Sequence, residues 1–249
     1  MPISGHSAGE RATAREVSGT AGSGWQEEVS ARVRECRDRI DAARSVGGHA
    51  HEVRLIAVTK THGIEAVAAA AAAGVRDVGE NRVQEAEPKM AQSTWPLKWH
   101  LIGHLQRNKA RAAVAFDMVH SLDSERLAVA LDREARAASG TLDVLVQVNI
   151  SGEDTKSGLS AAELPQFGER LHAFSSLRVC GVMTMAPLGA EERVLRRVFG
   201  GARTACHQLQ SAGHPATVLS MGMSGDFEIA VEEGATHVRL GTILFGGRL

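Results

Sequence analysis

Apolar and polar positions along this chain follow two periods. From Trp25 onward, apolar residues recur three and four apart at Val29, Val33, Cys36 and Ile40, interleaved with Glu, Arg and Asp, until Gly47 and Gly48 break the pattern. That spacing gathers the apolar side chains on one stripe of a helix. Beyond it, short apolar runs bounded by polar residues or glycine occur at 53–59, 75–79, 99–103, 118–122, 144–150, 179–185, 217–221 and 237–242, which predicts eight strands. Helical periods fill most of the intervals: 64–73 ahead of Gly74, 83–90, 107–116, 125–138 with Ser124 as N-cap, 164–174, 191–211, and 227–233 ahead of Gly234. Ser160 and Glu163 stand at capping-box spacing, with Pro165 close behind. Residues 1–24 carry Gly, Ser, Thr and Ala with scattered charges and no apolar period, and are expected to form a disordered tail.

Strand centres roughly 20 to 37 residues apart, with helices between them, are the repeat of βα units. Eight such strands favour a single α/β domain over 25–249, a (β/α)8 barrel of the TIM type, a class that fills about 250 residues. The alternative is an open doubly wound sheet, but Lys60-Thr61-His62-Gly63 stands where its glycine fingerprint would follow the first strand. Only seven residues follow Thr242, too few for a full eighth helix. The extra N-terminal helix is expected to cover that gap.

Composition narrows the chemistry. At 43% hydrophobic and 23% charged residues, the chain has the make-up of an ordinary globular protein. A net charge of −1 supplies no basic field, so nucleic-acid binding has no support. The longest apolar stretch, 66–75, is far short of the ~20 residues that span a bilayer, which predicts a soluble chain. Cys36, Cys180 and Cys206 lie far apart, form no CxxC pair, and accompany no apolar leader, so the cytoplasm is the expected compartment. There is no tyrosine, which removes any mechanism needing a tyrosine base, and only five of the 28 Lys and Arg residues are lysine.

In a barrel of this type the C-terminal ends of the strands carry the site. The first strand runs out at Lys60, in phase with Ile56 and Val58. A lysine desolvated there becomes a nucleophile toward carbonyls; the alternative is a rim lysine reaching solvent. After the seventh strand comes Ser220-Met221-Gly222-Met223-Ser224-Gly225-Asp226, and after the eighth Gly241-Thr242-Ile243-Leu244-Phe245-Gly246. Small residues and hydroxyls in these two loops let backbone amides approach a phosphate. A phosphate cup facing a Schiff-base lysine suits pyridoxal 5'-phosphate or a sugar phosphate. Arg239, in phase with Gly241, is then a candidate partner for the ligand ring, or else an ion-paired structural arginine. Asn81 follows the second strand, His100 and His104 bracket the end of the third, Asn149 ends the fifth, and Met183 and Met185 lie on the sixth. Asn149 can bond a ring hydroxyl or cap its own loop. His100 and His104 share no helix face and have no third ligand near them, so no metal site is expected.

Taken together, these segments resemble the pyridoxal phosphate homeostasis protein family. The resemblance is carried by Leu55-Ile56-Ala57-Val58-Thr59-Lys60-Thr61, Val78-Gly79-Glu80-Asn81-Arg82-Val83-Gln84-Glu85, Trp99 to Lys109, Gln147-Val148-Asn149-Ile150 through Lys156-Ser157-Gly158, Gly181 to Met185, Ser220 to Ser224, and Val238 to Gly246. It covers about Val29 to Gly246; the N-terminal tail has no counterpart in the family core. It implies a barrel similar to the N-terminal domain of alanine racemase, with pyridoxal 5'-phosphate held as a Schiff base on Lys60 and Arg239 beside the pyridine nitrogen. Ser220, Met223, Ser224, Gly241 and Thr242 would hold the phosphate, and Asn81, His100, Asn149 and Met183 complete the expected cofactor site. The implied role is to carry or buffer the cofactor in vitamin B6 homeostasis, as a monomer, with pyridoxal-phosphate-dependent apoenzymes as recipients and no strong turnover. The rivals are an amino-acid racemase or decarboxylase on the same barrel, and a sugar-phosphate lyase. A permanently cationic Arg239 disfavours a protonated ring nitrogen and so blunts the ring as an electron sink. A racemase also needs a base opposite its lysine, commonly a tyrosine, and this chain has none.

Overall fold

The computed structural model describes residues 19–153 and 157–247. Its strands are β1 (Arg54–Val58), β2 (Asp77–Glu80), β3 (Lys98–Leu101), β4 (Met118–Leu122), β5 (Leu142–Asn149), β6 (Leu159–Ser160), β7 (Leu177–Met183), β8 (Val218–Ser220) and β9 (His237–Leu240). All pair in parallel in the order β4-β3-β2-β1-β9-β8-β7-β5, and β4 pairs with β5 to close the ring. This is the eight-stranded barrel expected from the sequence. The two-residue β6, which no period announced, pairs with the end of β5 outside the ring, Val148 opposite Leu159. Because helices cover the outside and side chains fill the inside, the strands are buried on both faces; Leu55 to Val58 is an unbroken apolar run for that reason.

The helices are α1 (Gly19–Val46), α2 (Ile64–Ala72), α3 (Val83–Gln92), α4 (Ala110–Ala113), α5 (Glu125–Ala137), α6 (Leu164–Leu171), α7 (Glu192–Ser211), α8 (Phe227–Glu232) and α9 (Thr242–Phe245). The stripe Val29, Val33, Cys36 and Ile40 of α1 is buried as its spacing requires, and α1 packs on α2, α8 and α9, covering the gap in the helical ring. Three boundaries correct the sequence reading. First, α1 starts at Gly19, so residues 19–24 open a helix instead of belonging to a tail, because a nucleated helix propagates through turns that carry no apolar stripe. Residues 1–18 of the expected tail lie outside the described residues. Second, the helix expected over 107–116 is a 3-10 turn (Arg107–Lys109) followed by the single turn of α4. Its buried positions Ala110, Ala113 and Phe116 are three apart, a spacing that a 3-10 turn satisfies as well as an α-helix. Third, β1 ends at Val58, so Lys60 sits in the following turn and not on the strand.

Inside the barrel, Met118, Leu145, Cys180 and Met183 form an apolar plug separate from the larger core between strands and helices. The rest of the interior mixes the polar side chains of Asp77, His100, His120, His237 and Arg239 with the apolar Ile56 and Val58 and leads up to the mouth.

Candidate functional site

A cavity of about 600 Å³ opens at the C-terminal ends of the strands. Seven of the eleven expected site residues line it: Lys60, Asn81, Met223, Ser224, Arg239, Gly241 and Thr242. Lys60 is exposed at the mouth, which selects the solvent-reaching alternative over a desolvated amine in this state. The turn that presents it is held from below. Thr59 is fully buried, its hydroxyl donates to Glu80 Oε1 at 2.6 Å, and its carbonyl accepts from Lys89 Nζ at 2.8 Å and from the His62 amide at 3.2 Å. Lys89 also pairs with Glu80 Oε1 at 2.6 Å. Thr61 takes φ +66, a region that β-branched residues avoid, so the turn carries local strain that this buried pair helps to fix.

The wall next to this turn is built by the loops after β8 and β9, because β9 pairs with β1. Gly222 takes φ +90, and a Cβ there would lie 2.7 Å from Ala230 Cβ, so only glycine lets the loop fold down on α8. Ser224 Oγ accepts from the Gly241 amide at 3.4 Å and from the Ile243 amide at 3.3 Å. Asp226 Oδ1 accepts from the Met223 amide at 2.6 Å, while burial holds the Asp226 carboxyl above its ordinary range. Backbone donors and a hydroxyl therefore converge where the sequence placed a phosphate cup.

Arg239 forms the floor. Its guanidinium is buried, donating through Nη1 to Ser220 Oγ at 2.7 Å and through Nη2 to the Thr184 carbonyl at 2.9 Å. Burial lowers it to about 10, against the pull of Asp226. Ser220 Oγ also meets His120 Nδ1 at 2.9 Å, His120 Nε2 meets His100 Nδ1 at 2.9 Å, and His100 Nε2 meets Asp77 Oδ1 at 3.0 Å. Burial, reinforced by the charges around it, holds His120 well below the ordinary imidazole range. Burial likewise presses His237, on the same wall as Arg239, down to about 3. Burial opposes ionisation of Asp77, but the hydrogen bond from His100 and the neighbouring cations outweigh it and keep its carboxyl below the usual range.

Comparison with known proteins decides the family. The family model for the alanine racemase N-terminal domain matches residues 34–249. The pyridoxal phosphate homeostasis protein of Synechocystis sp. is 43% identical over 79% of this chain and 92% of its own length. That of Pseudomonas aeruginosa is 42% identical over 88% of this chain and 93% of its own length. The chain belongs to the pyridoxal phosphate homeostasis protein family. Among solved structures, PipY of Synechococcus elongatus with pyridoxal phosphate bound is 40% identical, covers 88% of this chain and all of its own, and superposes with a TM-score of 0.78. Alanine racemase of Corynebacterium glutamicum, 18% identical with a TM-score of 0.70 over 90% of this chain and 62% of its own, shares the barrel fold.

Within this homeostasis-family barrel, four expected residues lie away from the cavity wall. Ser220 and His100 are buried beneath it in the chain that leads from Arg239. Met183 belongs to the apolar plug. Asn149 closes its own loop: Oδ1 accepts from the Gly152 amide and Ser151 Oγ at 3.1 Å, and Nδ2 donates to the Glu153 carbonyl at 2.8 Å. His104, placed at the rim from the sequence but left out of the expected cofactor site, lines the cavity; the sequence reading missed Gln147 and Ser157, which also line it, and Asp77, His120 and His237 below it. A period-of-two count run backward along each strand reaches the last three: Asn81 leads to Gly79 and Asp77, Arg239 to His237, and His120 is two residues from the plug residue Met118. Among the described residues no cluster of three or more His, Cys, Asp or Glu fits a metal, and no helix is long and apolar enough to cross a membrane.

Proposed function

We propose that the protein carries or buffers pyridoxal 5'-phosphate through a Schiff base on Lys60 and takes part in vitamin B6 homeostasis in the cytoplasm, as a monomer whose working domain is residues 25–249. The observation that carries this reading is the convergence on one cavity of a free lysine amine, a buried guanidinium at the floor, and backbone amides with a hydroxyl on the adjoining wall. These groups fit the cofactor: the amine suits its aldehyde, Arg239 the ring nitrogen, and the Ser224, Gly241 and Thr242 region the phosphate. The names of the relatives and the pyridoxal phosphate bound by PipY support the same assignment. Met223 and Asn81 complete the wall around the ring, whereas Ser220 and His100 act from beneath and Met183 shapes the floor. Asn149 holds the loop beside the cavity.

When bound, the cofactor supplies an aldehyde that condenses reversibly with a primary amine. What the chain adds favours storage over turnover. Arg239 is a cation that disfavours a proton on the ring nitrogen. Among the titratable groups that line the cavity with Lys60, Asp226 spends one carboxylate oxygen on the Met223 amide, and His104 is engaged at 3.3 Å by Asp123. Apoenzymes that need the cofactor are the recipients in this reading, and a racemase or decarboxylase is the rival. Borohydride reduction of the loaded protein, followed by peptide mass spectrometry, is expected to place a pyridoxyl group on Lys60 and none on a Lys60→Ala chain. Amino acids in deuterated water are expected to exchange their α-proton slowly. Exchange at about 1–10³ s⁻¹ that depends on Lys60 would establish the enzyme instead.

A further inference from the structure

Arg239 is 5% exposed, and among the described residues no carboxylate reaches it at ion-pair distance. A buried cation without a direct partner is costly unless hydrogen bonds and a more distant charge compensate it. Here the compensation has a visible route. Ser220, His120, His100 and Asp77 are each 6% exposed or less and link Arg239 across the barrel interior to the N-terminal end of β2, where Asp77 Oδ1 lies 3.7 Å from the half-exposed Arg54. Donor and acceptor roles follow from chemistry. The Asp77 carboxylate only accepts, so His100 Nε2 carries hydrogen; its other ring nitrogen, Nδ1, is then the acceptor for His120 Nε2–H. His120 Nδ1 accepts from the Ser220 hydroxyl, and Ser220 Oγ accepts from Arg239. Every bond points the same way, from the cation to the carboxylate.

We propose that Asp77, His100, His120 and Ser220 are positioning residues, a one-way hydrogen-bond relay that couples the carboxylate at the N-terminal end of the barrel to Arg239. The relay thereby sets the positive field met by the ring nitrogen of bound pyridoxal phosphate. The inference rests on the proposed placement of that ring against Arg239. None of Asp77, His100 and His120 lines the cavity, so their influence is electrical and positional. The charged and titratable groups that face the relay are Arg54 from β1, His237 and Arg239 from β9, and Asp226 from the loop before α8. Removing the negative end leaves Arg54 and Arg239 less compensated and strengthens the field at the ring.

Two measurements test this. Nitrogen-15 NMR of the imidazoles in the cofactor-free protein is expected to show both His100 and His120 protonated at Nε2 with Nδ1 accepting; a His120 protonated at Nδ1 reverses the relay and overturns the proposal. In the loaded protein, the pH midpoint of the visible absorption band is expected to fall by roughly half a pH unit in the near-isosteric Asp77→Asn chain. Ser220→Ala should move it as well, and Asp77→Glu should bring it back toward wild type. Wild-type midpoints in both Asp77→Asn and Ser220→Ala, with the pyridoxyl group still found on Lys60, overturn the relay. Absence of that group from the wild-type chain overturns the cofactor assignment itself, a failure scored by mass and distinct from the other.

Discussion

At the scale of single residues, the lysine proposed to meet the cofactor and the lysine that is buried are different ones. Lys60 is free at the mouth, while Lys89, 7% exposed, neutralises a fully buried Glu80 and holds the Thr59 carbonyl. Lys89→Met is expected to strand the Glu80 carboxylate and cost on the order of 3–5 kcal/mol in urea unfolding, with Lys89→Met combined with Glu80→Gln recovering much of the loss. Equal stability of the single and double variants would show that the stranded Glu80 carboxylate is not the source of the loss. On the wall next to Lys60, Ser224→Asp places a carboxylate beside the Gly241 and Ile243 amides, where it repels a phosphate dianion. Dialysis followed by cofactor quantitation should show retention weakened roughly tenfold or more, about 1.4 kcal/mol. Unchanged retention would move the phosphate elsewhere.

At the scale of elements, the barrel closes only because some strands approach more tightly than a side chain allows. Gly181 on β7 faces β8 so closely that a Cβ would stand 1.9 Å from the Val218 carbonyl oxygen. It pairs with Leu145 where the β5–β7 register shifts by one residue. Gly181→Ala must push β8 outward and break the pairing that carries Ser220 to Arg239. The expected cost is about 3 kcal/mol or more, and circular dichroism against urea, together with weakened cofactor retention, checks it. The Ser160–Glu163 pair makes a gentler point. Ser160 donates to Glu163 Oε2 through its amide at 3.0 Å and its hydroxyl at 2.7 Å, as the spacing predicted, yet α6 begins only at Leu164, so the pair closes the turn ahead of the helix.

At the scale of the whole molecule, the interior histidines make stability depend on pH. His237 sits at about 3 in the folded barrel against an ordinary 6.5, and His120 is also well below its ordinary value, both through burial. The unfolded chain therefore takes up these protons first as pH falls. Stability is full above about pH 6.5 and declines toward pH 3, with a slope of about 1.4 kcal/mol per pH for each histidine. Between pH 6.5 and 5, above most carboxylate titrations, the urea midpoint of wild type should fall, and that of His237→Asn should fall less steeply. A flat wild-type profile over that interval would mean that the folded interior accommodates charged imidazoles.

The one-dimensional pattern by itself determined the repeat of strands and helices, and with it the closed barrel. Local periodicity decides which residues face a core, and eight βα units of this length have few ways to bury their apolar faces. It also determined the two loops and the lysine at the mouth, because turns of Gly, Ser and Thr at strand ends are local features. Only the tertiary structure decided the rest. Whether Asn149 faces a ligand or its own loop, whether Lys60 or Lys89 is the buried amine, and that Asp77, His100, His120 and Ser220 meet Arg239 all depend on distances between strands far apart in the chain. His120 and Ser220 are 100 residues apart in sequence and 2.9 Å apart in space, a contact that exists because the ring closes through β4 and β5.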